Sequence, residues 1–287
     1  MKAQKSFIAL LFAAALSFTL FQGCTESPFE GDIAAEPKQI SGQVDLVDTL
    51  NDEKGVYVWL SGLNLSTYTD STGAFTLEMP KNVSRDFSGI FTLYFYVANY
   101  RLNRATVVVR EGKFLYGAGD IMPDGRLKET VKLFKILDIK TIVEPTQVQS
   151  SYRGPIHLQT TLQAVDDSVS VVFPKSVGGL LGGMFFRHVG TGQIYIDIVD
   201  VGANTRDETL IGREPRSRRQ VFELNGANYR ELFLPVGEYI VIPFFLILQD
   251  DLPQELFASF GEKADDLTPN FLKIPFRRDE ARFQIVP

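Results

Sequence analysis

The chain has 287 residues, 45% of them hydrophobic, with a formal net charge of −6, 2 histidines and 1 cysteine. That length and apolar content suffice for two domains that each bury a core. The acidic balance excludes a nucleic-acid binder that works by neutralising phosphates, and a single cysteine excludes any disulfide within the chain.

Lys2 and Lys5 precede an apolar run from Phe7 to Phe21 that only Ser17 and Thr19 interrupt. The run is shorter than the roughly twenty residues a spanning helix needs. A positive start, a short apolar core and a small residue before the cut describe a signal peptide. Phe21-Gln22-Gly23-Cys24 resembles the bacterial lipoprotein cleavage site, an aliphatic residue and two small ones before cysteine. Gly23 and Cys24 match that pattern, and Phe21 and Gln22 depart from it. The resemblance implies that residues 1–23 are removed and that Cys24 carries palmitate-type acyl chains. One chain binds a membrane only marginally, so two or three are needed for stable anchoring. The alternative, an ordinary secretory signal cut nearby, leaves a lone thiol in an oxidising compartment, which is a liability. Thr25 stands where the best-known sorting rule has an inner-membrane aspartate. The resemblance therefore implies the outer membrane of a bacterial cell envelope, with either face open. Residues 24–38 are rich in Glu, Pro and Gly, too polar to bury a core, and read as a flexible spacer.

Residues 39–137 read as a first β-sandwich. Ile40, Gly42, Val44 and Leu46 alternate with polar residues, the period of a half-buried strand. Gly55–Leu60 is apolar on both faces. Thr69-Asp70-Ser71-Thr72-Gly73 is a tight hairpin connection, with Asp70 in turn chemistry and not a calcium ligand, because no alternate acids or distal Glu follow it. Phe75, Leu77 and Met79 alternate up to Pro80, Phe91–Val97 and Ala105–Val109 add strands, and Leu127–Ile136 closes the sheet. Ile40-Ser41-Gly42-Gln43-Val44, Gly55-Val56-Tyr57-Val58, Thr69 to Phe75 and Pro80 together resemble the carboxypeptidase regulatory-like domain, a transthyretin-like sandwich. Lys81–Ser88 departs from it by being longer and more polar. The resemblance implies a fold and an accessory surface role, not catalysis.

Residues 138–150, with Glu144 and Pro145, read as a linker, and residues 151–287 as a second sandwich, immunoglobulin-like or related. Its expected strands are Ile156–Leu162, Val169–Phe173, Gly192–Val199, Gln220–Leu224, Arg230–Leu234, Glu238–Leu248 and Ala281–Val286. Asp250, Asp251 and Pro253 open one short helix, whose face of Leu252, Leu256, Phe257 and Phe260 caps an open end of the core. A ligand lid is the other reading.

Two stretches are candidate contacts. The polar loop 206–219 gathers Arg213, Arg216, Arg218 and Arg219, a set able to fork onto carboxylate, sulfate or phosphate; a solvated loop neutralised by Asp207, Glu208 and Glu214 is the competing reading. The Gly178–Met184 stretch lacks the Lys-Ser/Thr of a phosphate loop and reads as a hairpin tip. Leu180 and Leu181 there are an apolar partner contact if exposed.

Catalytic signals are thin. His157 and His188 lack a Glu three residues on, no Gly-x-Ser-x-Gly elbow occurs, and Cys24 is consumed by lipid. Acids such as Asp166, Asp167, Asp265 and Asp266 suit turns. Trp59 suits a core. The expectation is an all-β, non-catalytic envelope lipoprotein, a binding or scaffolding module with no cofactor or metal. Its partners are the membrane, through lipid, and an envelope protein or glycan, with no nucleic acid. The rival readings are a glycan-binding accessory of a polysaccharide-uptake system and a hydrolase of unrecognised type.

Overall fold

The computed structural model describes residues 38–47, 52–176, 179–198, 205–224 and 232–287. Residues 1–37, with Cys24, the expected leader and most of the expected spacer, lie outside them. The regular secondary structure among the described residues is almost wholly β-strand and forms β-sandwiches.

The first sandwich contains β1 (Gln39–Val47), β2 (Tyr57–Leu60), β3 (Leu65–Tyr68), β4 (Ala74–Glu78), β5 (Gly89–Tyr96), β6 (Asn103–Arg110), β7 (Lys113–Phe114) and β8 (Val131–Phe134). One sheet has the order β4-β1-β8 and the other β3-β2-β5-β6-β7. β1 runs antiparallel to β4 along its first half and parallel to β8 along its second. Its alternating residues Ile40, Val44 and Leu46 face Val58, Leu60, Leu93, Phe95 and Val107 of the opposite sheet, and this is the first core.

The turn at Asp70 is as tight as its residues imply. One Asp70 oxygen accepts from the Thr72 amide at 2.8 Å, the Thr72 hydroxyl at 2.7 Å and the Ala74 amide at 3.1 Å. These bonds, that of the Thr72 hydroxyl foremost, hold its carboxyl below the usual range. Gly73 has φ +81°, and a Cβ there would meet the Val44 carbonyl oxygen at 2.0 Å. The turn is not a hairpin, however. β3 and β4 belong to opposite sheets, so it carries the chain over the top of the core.

The second sandwich starts earlier than the sequence suggests. Residues 138–150 are no linker: they supply most of β9 (Leu137–Glu144) and all of β10 (Gln147–Gln149). Leu137, Ile139 and Val143 alternate with exposed residues, and β9 pairs along eight positions with β11 (Ile156–Ala164). The remaining strands are β12 (Val169–Pro174), β13 (Gly183–His188), β14 (Ile194–Ile198), β15 (Arg206–Ile211), β16 (Arg216–Phe222), β17 (Gly237–Pro243), β18 (Leu246–Ile247) and β19 (Ala281–Val286). Sheet β10-β19-β17-β13-β14 covers one side of the second core, and β16-β11-β9 with β15-β12-β18 cover the other. The expected single strand Glu238–Leu248 is cut after Pro243, which has no amide to continue a ladder. β17 pairs with β13 and β19, whereas β18 pairs with β12 in the other sheet. At the start of β17 the Tyr239 hydroxyl donates to the Pro235 carbonyl at 2.6 Å, the tyrosine-corner arrangement of immunoglobulin-like sandwiches.

A third core joins the sandwiches. Strands buried on both faces serve two cores at once. Val58 and Leu60 of β2 point into the first core, while Tyr57 and Trp59 point the other way. In β17, Tyr239 and Val241 fill the second core while Ile240 and Ile242 meet the first sandwich; in β13, Phe185 does the same opposite Met184 and Phe186. Trp59 is thus a core residue, but of the junction, with its indole N–H donating to Asn64 at 2.8 Å. The short helix α1 (Gln254–Ser259) and the 3-10 helix Pro269–Lys273 pack here too. The helix therefore does not cap an open end. Phe260, just past it, lies 4.4 Å from Tyr57 ring to ring, and Tyr57 donates to Ser259 at 2.9 Å.

Polar side chains finish the junction. Asn99, fully buried, donates to the carbonyls of Leu137 at 3.0 Å and Arg277 at 2.7 Å, and accepts from the Arg277 amide at 2.9 Å. Gln249 accepts from the Leu102 amide at 2.8 Å and donates to the Tyr100 carbonyl at 2.9 Å.

Candidate functional site

Where the two sandwiches meet, the surface sinks into a groove of about 950 Å³. Its floor comes from the outer face of the β15-β12-β18 sheet. Leu210 stands opposite Ser170 in the β12–β15 register, and the Leu248 amide bonds the Ser170 carbonyl at 2.9 Å. The alternation that drives Val169, Val171 and Ile211 into the second core necessarily turns Ser170 and Leu210 outward. The first sandwich supplies Phe134, at the end of β8, and the Arg101–Leu102 turn, which Phe134 holds through an Arg101 amide to Phe134 carbonyl bond of 2.8 Å.

Three large apolar side chains face solvent around this groove: Phe134 at 53% exposure, Leu210 at 59% and Leu248 at 41%. The charged lining is mixed and acid-rich, with Asp166, Asp167, Glu208, Asp250 and Asp251 against Arg101, Lys135 and Arg213. Arg101 reaches Asp167 across the junction at 3.8 Å, and Arg213 donates to the Asp166 carbonyl at 2.8 Å. Both arginines and both aspartates are largely exposed, so these pairs add little stability and can exchange for a ligand's polar groups. The groove can therefore grip a ligand that offers apolar faces together with polar edges.

The candidate arginines do not converge. The segment 206–219 is not a loop but β15, a turn at residues 212–215, and β16, whose two strands pair in different sheets. Arg213 lines the groove from that turn. Arg216, at the start of β16, is exposed opposite Leu162. Arg218 is largely buried; it pairs with Asp207 at 2.9 Å and lies 4.7 Å over the Phe173 ring, so it is a structural cation. Arg219 is exposed and donates to Gln159 at 2.9 Å on the neighbouring strand. Alternation along β16 puts Arg219 on the face opposite Arg216 and Arg218, a separation that a loop would not impose.

The leucine pair is also split. Leu180 is 37% exposed and bridges Arg219, but Leu181 is 0% exposed in the second core and cannot meet a partner. Nor is the glycine-rich stretch a hairpin tip: β12 and β13 lie in different sheets, and Gly182 (φ +80°) threads against Pro174 with no room for a Cβ. Gly178 lies outside the described residues.

His157 is exposed on β11, while His188 accepts from the Thr191 amide at 3.1 Å and packs edge-on to Tyr239. Among the described residues, no group of three His, Cys, Asp or Glu is placed to hold a metal ion, and no helix is long and apolar enough to cross a membrane. The groove residues Phe134, Leu210 and Leu248 went unrecognised in the sequence. Their only signal is an apolar residue at an outward-facing position, which is legible once the sheet assignments are known.

No protein-family model matches the chain, and no curated protein sequence matches it. Among solved structures, the alkylpurine DNA glycosylase AlkC of Pseudomonas fluorescens bound to DNA aligns at TM-score 0.28 and 12% identity, over 53% of this chain and 30% of that one. The major pilin subunit BcpA of Bacillus cereus aligns at TM-score 0.25 and 9% identity, over 87% of this chain and 69% of that one. Likenesses this slight carry neither fold nor function across.

Proposed function

We propose that this chain is a bacterial envelope lipoprotein, tethered to the outer membrane through Cys24, whose fused sandwiches form a non-catalytic binding or scaffolding module with a carboxypeptidase regulatory-like first half. The observation that carries the binding role is the groove. Ligand sites favour domain junctions, and here both sandwiches contribute exposed apolar side chains, Phe134 from one and Leu210 and Leu248 from the other, to one charged cleft. The spacer holds this rigid pair off the membrane, and the groove meets an envelope protein.

Glycan binding is the second reading, favoured by the exposed Phe134 ring beside the carboxylates and guanidinium groups that hydrogen-bond hydroxyls. One set of variants tests both. Cys24→Ala should release the protein from the membrane fraction; retention at the wild-type level counts against the tether. Pull-down from the native envelope with wild type and Leu210→Asp should show one partner lost by the variant. A partner set unaffected by Leu210→Asp rejects the groove, and a thermal shift with a soluble glycan that Phe134→Ala abolishes moves the assignment to sugar.

A further inference from the structure

A second cleft of about 380 Å³ opens between the sandwiches, and none of its lining residues borders the groove. Gly55 and Tyr68 of the first sandwich line it, along with Arg187, Lys273 and Arg278 of the second. We propose that this cleft binds an oxyanion group (carboxylate, sulfate or phosphate) carried by a small ligand, with Arg278 as the principal donor. This rests neither on the groove nor on the tether.

The Arg278 Nη1 atom is buried and has no hydrogen-bond partner among the described residues. A guanidinium is charged at neutral pH and presents five donors, so a donor nitrogen buried without an acceptor is an unmet electrostatic demand. The Phe276 ring lies 4.8 Å from its Cζ and stacks without accepting the N–H bonds. Burial, and after it the charge of Arg187, lower its pKa to about 10, and the charge of Glu280 offsets only part of that.

The carboxylates nearby meet that demand only in part. Glu280 is held by Arg187 at 3.6 Å and by Arg282 at 2.6 Å. Asp279 lines the cleft but is exposed, and no carboxylate among the described residues is within ion-pair distance of Arg278. The balance of the lining is cationic: Arg187, Lys273 and Arg278 against Asp279 and Glu280. Tyr68 adds a hydroxyl that can donate, its proton held more tightly by partial burial and then by neighbouring Tyr57. Ile240, Ile242 and Ile274 make the rest of the wall apolar, which strengthens any charge-assisted bond formed there.

The test is a thermal-unfolding titration of the full-length protein in detergent with sodium sulfate, phosphate or acetate, at constant ionic strength set by chloride. Wild type should show a saturable rise in melting temperature with at least one of the three, and which one responds identifies the oxyanion. Arg278→Gln should weaken the midpoint by about tenfold or more, as loss of a forked charged donor implies, while Arg213→Gln, in the groove, should leave it unchanged. No saturable rise, or an equal rise in Arg278→Gln, overturns the proposal. Should Arg278→Gln fail to fold, Tyr68→Phe decides: its side chain is 48% exposed and its loss spares the fold. It should weaken the midpoint about threefold or more, and an unchanged midpoint overturns the site.

Discussion

Single side chains decide whether the two sandwiches act as one body, and Asn99 is the clearest of them. Its amide satisfies two carbonyls and one N–H from two separate strands of chain, Leu137 and Arg277, at a fully buried position. Removing one partner strands the others, and each buried orphan costs about 1–3 kcal/mol. Asn99→Ala should therefore destabilise the protein by about 3 kcal/mol in urea unfolding. A loss under about 1 kcal/mol would mean that water replaces the amide without penalty. The same scale explains the arginines. Four basic residues close in sequence allow either an anion site or a solvated, neutralised run, and Arg218 is committed to Asp207 and Arg219 to Gln159. Arg278, whose Nη1 is buried without a partner, sits instead in a stretch where nothing local distinguishes it from an ordinary surface charge.

At the scale of elements, the junction is built by strands with two buried faces and by one 3-10 turn. Phe271 is its keystone: fully buried, stacked 5.5 Å from Phe185 and edge-on to Phe244 at 4.9 Å. Phe271→Ala should cost about 3–5 kcal/mol, the range for emptying a packed aromatic site, while leaving the far-ultraviolet signature of the strands intact. A loss of strand signal at low temperature would show instead that the second sandwich cannot form without the junction. Strand periodicity made most elements legible, including Ile156–Ala164 and Ala281–Val286. It was overlooked in Leu137–Glu144, where Leu137, Ile139 and Val143 alternate in plain view but the following Pro145 suggested a linker.

For the whole molecule, three cores rather than two imply one cooperative unit. Calorimetry should give a single transition with equal calorimetric and van't Hoff enthalpies, and Phe271→Ala should resolve it into two. Two transitions in wild type would mean that the third core is too weak to couple the sandwiches. Alkali should act through buried tyrosines. Burial, and then Tyr195, push the Tyr239 hydroxyl up to about 12, and burial pushes Tyr96 higher still. In the unfolded chain both ionise near pH 10, so their stabilisation is whole below about pH 10 and lost as pH climbs towards about 12. Arg278, with its pKa lowered, acts in the opposite sense over the same range and offsets only part of this. The melting temperature should fall above about pH 10, with tyrosinate absorbance appearing only as the protein unfolds. A flat profile, or tyrosinate formed in the folded state, would contradict this burial.

By itself the sequence determined the class of fold, most strands and the Asp70 turn, and it is the basis on which a lipid tether is proposed. Each of these depends on residues near one another along the chain: alternation, turn chemistry, an apolar leader ending at cysteine. Only the tertiary structure decided which strands share a sheet, that both-face burial in β2, β13 and β17 marks a joint between sandwiches, and which polar side chains meet at the groove and beside Arg278. Those depend on residues brought together from distant parts of the chain. Strand patterns say which face is buried, but not what lies against it.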